Sequence, residues 1–288
     1  MNMESTKQCD CKGKRTCLLC EDSLNKKATD WYALFKNLDS YVYCWMCKKI
    51  FKGWDVITSC DDHKLLDDGK KFSGLYIHPN FLTPEESNEV VDSVDSSEWD
   101  LSQSGRRKKN FGPKINFKKK KLRHEFFKGF FESTGFVRDK LTTIDFLKDF
   151  KVVEECFLEY EKARGSHIEP HIDDCWIWGE RIVTVNTIGE AVLCLTKHFP
   201  TYPKQYNIDC MEEYKEGLIG ELQDEIADDV LIRIAMPANS LLVMYGAVRY
   251  QYEHSVLRED VEGRRVCIAY REFTKPYDHM VKHFNKSL

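Results

Sequence analysis

His171-Ile172-Asp173 sets an imidazole and a carboxylate two residues apart. On a strand, residues i and i+2 point to the same side, so both can reach one metal ion. The spacing alone says little. A second such triplet, His167-Ile168-Glu169, is present, and nine histidines among 47 acids give about that many by chance. Support comes from Tyr252-Glu253-His254, which brings a third donor just past the apolar run 241–245. Two imidazoles and one carboxylate on one face of an iron leave its other positions open for chemistry. Arg265 and Arg271 follow, six apart on another apolar run, and so share a face if that run is extended. Two guanidinium groups turned into a strand-lined cavity need anions. A dicarboxylate suits them, because arginine grips a carboxylate through two parallel hydrogen bonds. The bland alternative is a pair of exposed arginines on an edge strand.

These residues need strands to hold them, and the second half of the chain supplies the pattern. Strands are expected at 153–160, 181–188, 230–234, 240–245 and 265–271, several with apolar residues alternating at period two. Ahead of them, 74–77 reads as a short strand. Thr83-Pro84-Glu85-Glu86 opens a helix with a capping threonine, a proline in the first turn and a glutamate closing the cap; it should run to about Val94. Residues 99–116 read as a long surface loop and 134–149 as helical. Short strands with helices gathered before them indicate a barrel or sandwich with helical support.

Charge and cysteine are unevenly spread. The net charge of −4 hides ten basic residues and no acid between Gly105 and Arg123, which leaves the rest of the chain at −14. Nine acids with one base fall between positions 209 and 229. The basic block suits a phosphate backbone, an acidic protein face or plain solvent. Six of the 12 cysteines lie in the first 47 residues. Cys9, Cys11, Cys17 and Cys20 have the density of a closed zinc site, with an iron–sulfur cluster as the other metal reading and free thiols as the alternative to a metal. Cys44-x2-Cys47 is a second pair that fits the same site or another. Cys60, Cys156, Cys175, Cys194, Cys210 and Cys267 read as core thiols. Residues 1–65 are thus expected to form a cysteine-rich attachment, and 66–288 one domain with a basic lid at about 100–123. No apolar run is long enough to span a membrane, and the start lacks an apolar signal-peptide core. The expected setting is cytoplasmic and nuclear, where thiols stay reduced.

His171-x-Asp173, the strand 182–186, His254 and Arg265-x5-Arg271 together resemble the AlkB-like iron(II)- and 2-oxoglutarate-dependent dioxygenases. Cys9-Asp10-Cys11-Lys12-Gly13, the stretches 101–107 and 176–181, and Arg264-Arg265-Val266-Cys267 resemble one animal branch of that family. The resemblance covers nearly the whole chain and is weakest at 209–229. It implies a mixed α/β fold: a double-stranded β-helix (jelly-roll) core with supporting helices, plus the short cysteine-rich segment. It further implies Fe(II) on His171, Asp173 and His254, with 2-oxoglutarate held by Arg265, Arg271 nearby and Tyr160 donating its hydroxyl. Many members carry Asn two residues before that tyrosine, where this chain has Leu158.

The implied reaction is oxidative N-demethylation with release of formaldehyde. Its substrates would be methyl-lysine in a protein such as actin, placed first, and N6-methyladenine in DNA, placed second. Arg106 and Arg107 with Phe111 resemble a nucleotide-recognition lid. Phe111, Phe117, Trp176 and Trp178 are candidates for the pocket of a flipped base, and the two tryptophans equally suit a methyl-lysine through cation–π contact. Two rival readings use the same residues: a non-catalytic, zinc-stapled adapter, and a metal hydrolase that needs neither 2-oxoglutarate nor Arg265.

Overall fold

The computed structural model describes residues 9–12, 15–64, 66, 69–198, 205–213, 219 and 227–284. Most of the acidic stretch 209–229 lies outside them. Among the described residues no helix is long and apolar enough to cross a membrane.

Two seven-stranded sheets make up the body. The first contains β1 (Asp39–Cys44), β2 (Lys49–Lys52), β3 (Lys70–Lys71), β10 (Ile168–His171), β12 (Ala191–Lys197), β13 (Val230–Met236) and β15 (Tyr252–Val256), in the order β10-β15-β12-β13-β1-β2-β3. The second contains β4 (Leu75–His78), β5 (Asp100–Leu101), β6 (Arg107–Phe111), β9 (Glu154–Glu161), β11 (Trp178–Ile188), β14 (Ser240–Met244) and β16 (Arg264–Phe273), in the order β4-β14-β11-β16-β9-β6-β5. β7 (Lys114–Asn116) and β8 (Lys121–Arg123) form a separate hairpin.

Period-two alternation explains the layers. Along β11, Ile182 joins a core with Leu193, Ile232 and Ile234 of the first sheet, so this face is the interior between the sheets. Val183 and Val185 point the other way, onto Val90 and Val94 of α3 (Pro84–Asp95) and Val137 and Leu141 of α4 (Gly135–Leu141). Each fully buried side chain of this kind contributes about 1.5–3 kcal/mol. On the far face of the first sheet, Phe35 of α2 (Trp31–Phe35) packs with Cys194 and Leu231. α3 starts as its sequence demands. The Thr83 side chain accepts from Glu86 N, and the Glu86 carboxylate accepts from Thr83 N in return.

Three expectations are corrected. Residues 107–111 are not loop: β6 pairs antiparallel with β9, and Lys109 is buried, donating to the carbonyls of Val94 and Ser97. The helix expected over 134–149 ends at Leu141 and gives way to a short 3-10 turn, Asp145–Leu147. Residues 1–65 do not form a free-standing attachment, since β1 runs parallel to β13 with Asp39 opposite Val230 and β2 extends the same sheet.

Candidate metal and cosubstrate site

β10 and β15 lie side by side at one edge of the first sheet, with His171 opposite His254. Facing residues on paired strands bring their side chains to within a few ångströms, and the two imidazole centroids are 4.2 Å apart. Asp173 joins them from just beyond the end of β10, so a turn rather than strand alternation delivers it. His171 Nε2 is 3.7 Å from Asp173 Oδ1, and one donor atom from each of the three residues lies within 4.8 Å of the others.

The surroundings hold these donors in metal-ready form. His171 Nδ1 is 2.8 Å from the Glu169 carbonyl, which accepts its proton and leaves Nε2 as the free donor. Asp173 Oδ2 accepts from Arg271 Nε at 2.8 Å, leaving Oδ1 toward the histidines. Burial opposes ionisation of Asp173, but Arg271 and then the two histidines outweigh it and hold the carboxyl well below the usual range. Burial also lowers both imidazoles, His254 further than His171 because His171 stands against it. Neutral imidazoles and an ionised carboxylate are the forms that bind a divalent metal.

Behind the triad the two sheets enclose a cavity lined by Tyr160, His171, Thr184, His254, Arg265 and Arg271, with walls of Ile182, Leu193, Met236 and Leu242. Arg265 is 2% exposed. Its Nε donates to Asn186 Oδ1 at 2.7 Å, an Nη reaches the Met236 sulfur at 3.7 Å, and the guanidinium carbon is 4.9 Å from the Tyr160 ring centroid. Among the described residues no carboxylate lies within ion-pair distance of it. Asn186 is itself fixed, since its amide nitrogen donates to the carbonyls of Gly189 and Pro237. Leu158, where relatives of the resembled family carry a polar residue, lines the same cavity. The strand reasoning thus placed Arg265 and Arg271 correctly on one face. It did not show that Arg271 is committed to Asp173 and Glu154.

The remaining candidates scatter. Arg106 is buried, with its guanidinium carbon 5.9 Å from the Tyr160 ring and its Nε without a hydrogen-bond partner among the described residues. Arg107 points elsewhere and grips Glu159 with two nitrogens, in company with Arg164 and Arg264. Phe111 packs on Phe131 and Phe157 beneath the helices. Trp176 packs against Tyr277, and Trp178 stacks on Phe273 with Arg271 over its ring. None of Arg107, Phe111, Trp176 and Trp178 lines the cavity. Lys114 and Lys118 to Lys121 of the basic block instead ride on the β7–β8 hairpin, where Phe117 is 48% exposed.

Cys9, Cys11, Cys17 and Cys20 converge, each offering a sulfur within 4.8 Å of the rest. Cys17 and Cys20 lie at and inside the start of α1 (Leu18–Leu24) with sulfurs 3.7 Å apart. This knuckle docks on the loop that ends in Arg106. Asp10 N donates to Ser102 O, and a Cβ on Gly105 would stand 3.1 Å from the Cys17 Cβ and 2.6 Å from the Arg164 carbonyl. Gly105 also has φ +70, so glycine is required there twice over. Arg15 pairs with Glu169 at 3.1 Å, which ties the same knuckle to the residue that orients His171. Sequence reasoning missed Glu154 and Asn186, whose signal lies only in cross-strand register, and the Glu169 carbonyl, which meets His171 within β10 itself. It also read Cys60 as an ordinary core thiol, whereas Cys60 meets Cys44.

No family model matches the chain. It is 35% identical over 278 residues to the human alpha-ketoglutarate-dependent dioxygenase alkB homolog 4, covering 95% of this chain and 89% of that one. The mouse counterpart is 34% identical over 272 residues, covering 94% and 88%. A Caenorhabditis elegans DNA N6-methyl adenine demethylase is 31% identical over 290 residues, covering 93% and 88%. With identities of 31–35% along nearly its whole length, the chain belongs to the AlkB family of 2-oxoglutarate-dependent dioxygenases.

Proposed function

We propose that the protein removes N-methyl groups oxidatively, with Fe(II) on His171, Asp173 and His254 and 2-oxoglutarate anchored by Arg265 inside a double-stranded β-helix formed by the two sheets. The observation that carries this reading is the pairing of an open three-donor site with a buried arginine in one cavity. A buried guanidinium without a carboxylate partner is costly unless a ligand supplies the anion. When bound, Fe(II) with 2-oxoglutarate and oxygen supplies the oxidant that hydroxylates the methyl carbon, after which formaldehyde leaves.

The chain's own groups set up that reaction. Asn186 fixes Arg265 Nε and leaves its terminal nitrogens to clamp the distal carboxylate of the cosubstrate. Tyr160, buried beside Arg265, is placed to donate its hydroxyl to the same molecule. Arg271 acts one step back: it holds Asp173 ionised and turned toward the histidines. Ile182, Leu193, Met236 and Leu242 keep bulk water from the reacting centre. The cysteine knuckle is assigned a structural zinc. Four cysteine sulfurs gathered within 4.8 Å of one another suit a closed zinc site.

For the substrate, methylated DNA is the better supported class. Arg106 beside the cavity, the lysine-bearing hairpin with its exposed Phe117, and the activity in the name of the nematode relative all favour it. Trp176 and Trp178 are buried against Tyr277 and Phe273, which weakens them equally as a methyl-lysine cage and as walls for a flipped base. The deciding assay measures formaldehyde from N6-methyladenine DNA and from methyl-lysine protein, each with Fe(II) and 2-oxoglutarate. Release from DNA is expected. Release from protein alone would reverse the assignment, and succinate formation independent of iron would remove the mechanism. If DNA is the substrate, replacing Lys118 to Lys121 by alanine should weaken binding across sequences and flatten its salt dependence.

A further inference from the structure

At the opposite edge of the first sheet from the triad, four more metal-type donors converge. Cys44 closes β1, and Cys47 sits in the turn to β2. Cys60 and His63 lie on a 3-10 turn, Cys60–His63, that folds back over the hairpin. Cys44 Sγ is 3.7 Å from Cys60 Sγ, Cys47 Sγ is 3.6 Å from His63 Nε2, and all four donor atoms lie within 4.8 Å of one another. A tetrahedral zinc with bonds of about 2.3 Å to sulfur and 2.0–2.1 Å to nitrogen places two sulfurs about 3.8 Å apart, and a sulfur and a nitrogen about 3.6 Å apart. The observed spacings agree with both.

The backbone around these residues is built to present them. Lys48 takes a left-handed φ of 56 and donates its N–H to the Cys44 carbonyl, which curls the turn so that both thiols face the same side. The 3-10 turn is locked at its start: Asp62 Oδ2 accepts from the N–H groups of Thr58 and Ser59. The His63 imidazole stacks on Phe51 at 4.0 Å with an interplanar angle of 16°, which directs Nε2 at Cys47. What surrounds them is small: Val42, Cys44, Phe51 and Ile57 are the fully buried members of the local apolar cluster. Too few side chains are buried there to fix two separate pieces of chain, and structural metals commonly fill that role.

We propose that Cys44, Cys47, Cys60 and His63 form a second structural site for a thiophilic divalent cation, zinc, separate from both the triad and the Cys9 knuckle. Its task is to clamp the 3-10 turn onto the β1–β2 hairpin and so complete the outer edge of the sheet. The donor set is closed, three thiolates and one imidazole, with no position left for substrate.

The test is cobalt(II) titration of the full chain, demetallated and reduced, read by thiolate-to-cobalt charge-transfer absorption. The triad contains no thiol and adds nothing to that signal. Cys47→Ser combined with Cys60→Ser should bind one thiolate-type equivalent fewer than the wild type, whatever the Cys9 knuckle holds. Cys17→Ser with Cys20→Ser should leave the second site's equivalent in place. His63→Cys preserves a four-donor set, so it should keep the full count and move the spectrum toward that of a tetrathiolate. An undiminished count in the Cys47/Cys60 variant would overturn the site. So would a His63→Cys spectrum identical to the wild type, or an unreduced chain whose mass shows a Cys44–Cys60 disulfide.

Discussion

The triad offers three donors and the Cys9 knuckle offers four, and the difference extends to everything around them. His171, Asp173 and His254 come from two parts of the chain 81 residues apart and meet only because β10 and β15 pair. Their orientation depends on neighbours, namely the Glu169 carbonyl and Arg271. Cys9, Cys11, Cys17 and Cys20 come from one short stretch whose spacing nearly suffices to gather them. An incomplete donor set on a preformed scaffold keeps a metal reactive, whereas a complete set from one short stretch uses the metal to make structure. Losing the first should cost chemistry, and losing the second should cost stability.

The sharpest break comes from His171→Ala. Turnover should vanish and iron content fall to background while the thermal midpoint stays close to the wild type; a variant that keeps full activity would sink the triad. Cys17→Ser should do the reverse, lowering stability by about 4 kcal/mol in denaturant while any folded fraction still binds iron at the triad. A variant as stable as the wild type would break the contrast.

His167, between the two regions, supplies a pH test. Burial lowers its pKa from 6.5 to about 4. The unfolded chain takes up a proton near pH 6.5 and the folded chain does not until about pH 4. The stability tied to the neutral ring is therefore fully present above pH 6.5 and is lost as the pH falls toward 4, by up to about 3 kcal/mol. His167→Gln should flatten that part of the stability profile in urea titrations, and an unchanged profile would remove the assignment. Smaller effects sharpen the triad side. Arg271→Gln should weaken iron binding by roughly 10–100-fold, as expected for a group that holds a metal ligand. Arg265→Lys should raise the 2-oxoglutarate concentration needed for half-saturation about tenfold, because the charge survives and the two-pronged grip does not. Iron content unchanged in the second and reduced in the first would separate the two arginines' roles.

The same contrast explains what the sequence made legible. Period-two alternation marked the strands that carry Arg265 and the wall of the cavity, and the cap at Thr83 marked α3, because those signals are local. β6 was hidden because Arg107, Lys108 and Lys109 read as solvated charge. Their partners are supplied from far along the chain, Glu159 for Arg107 and the end of α3 for Lys109. The commitment of Arg271 to Asp173 was hidden for the same reason. Cys60 and His63 escaped notice because their spacing from Cys44 and Cys47 is set by a fold-back, not by a repeat. Trp176 and Trp178 are near the triad in sequence, and their packing into the apolar core on Tyr277 and Phe273 was not visible there.

The parallel pairing of β1 with β13 has a consequence for how the chain is made. β1 leaves the ribosome well before its partner, since Val230 lies 191 residues after Asp39. Until then β1 exposes an unpaired strand edge, the kind of surface that invites association with other chains. Parallel contacts between distant segments also form slowly. The hairpin with β2 can close early from local residues, and it covers one side of β1 while the other waits. Assembly of the sheet should therefore be limited by the arrival of β13. Nascent chains released before it should be more prone to aggregation than those released after.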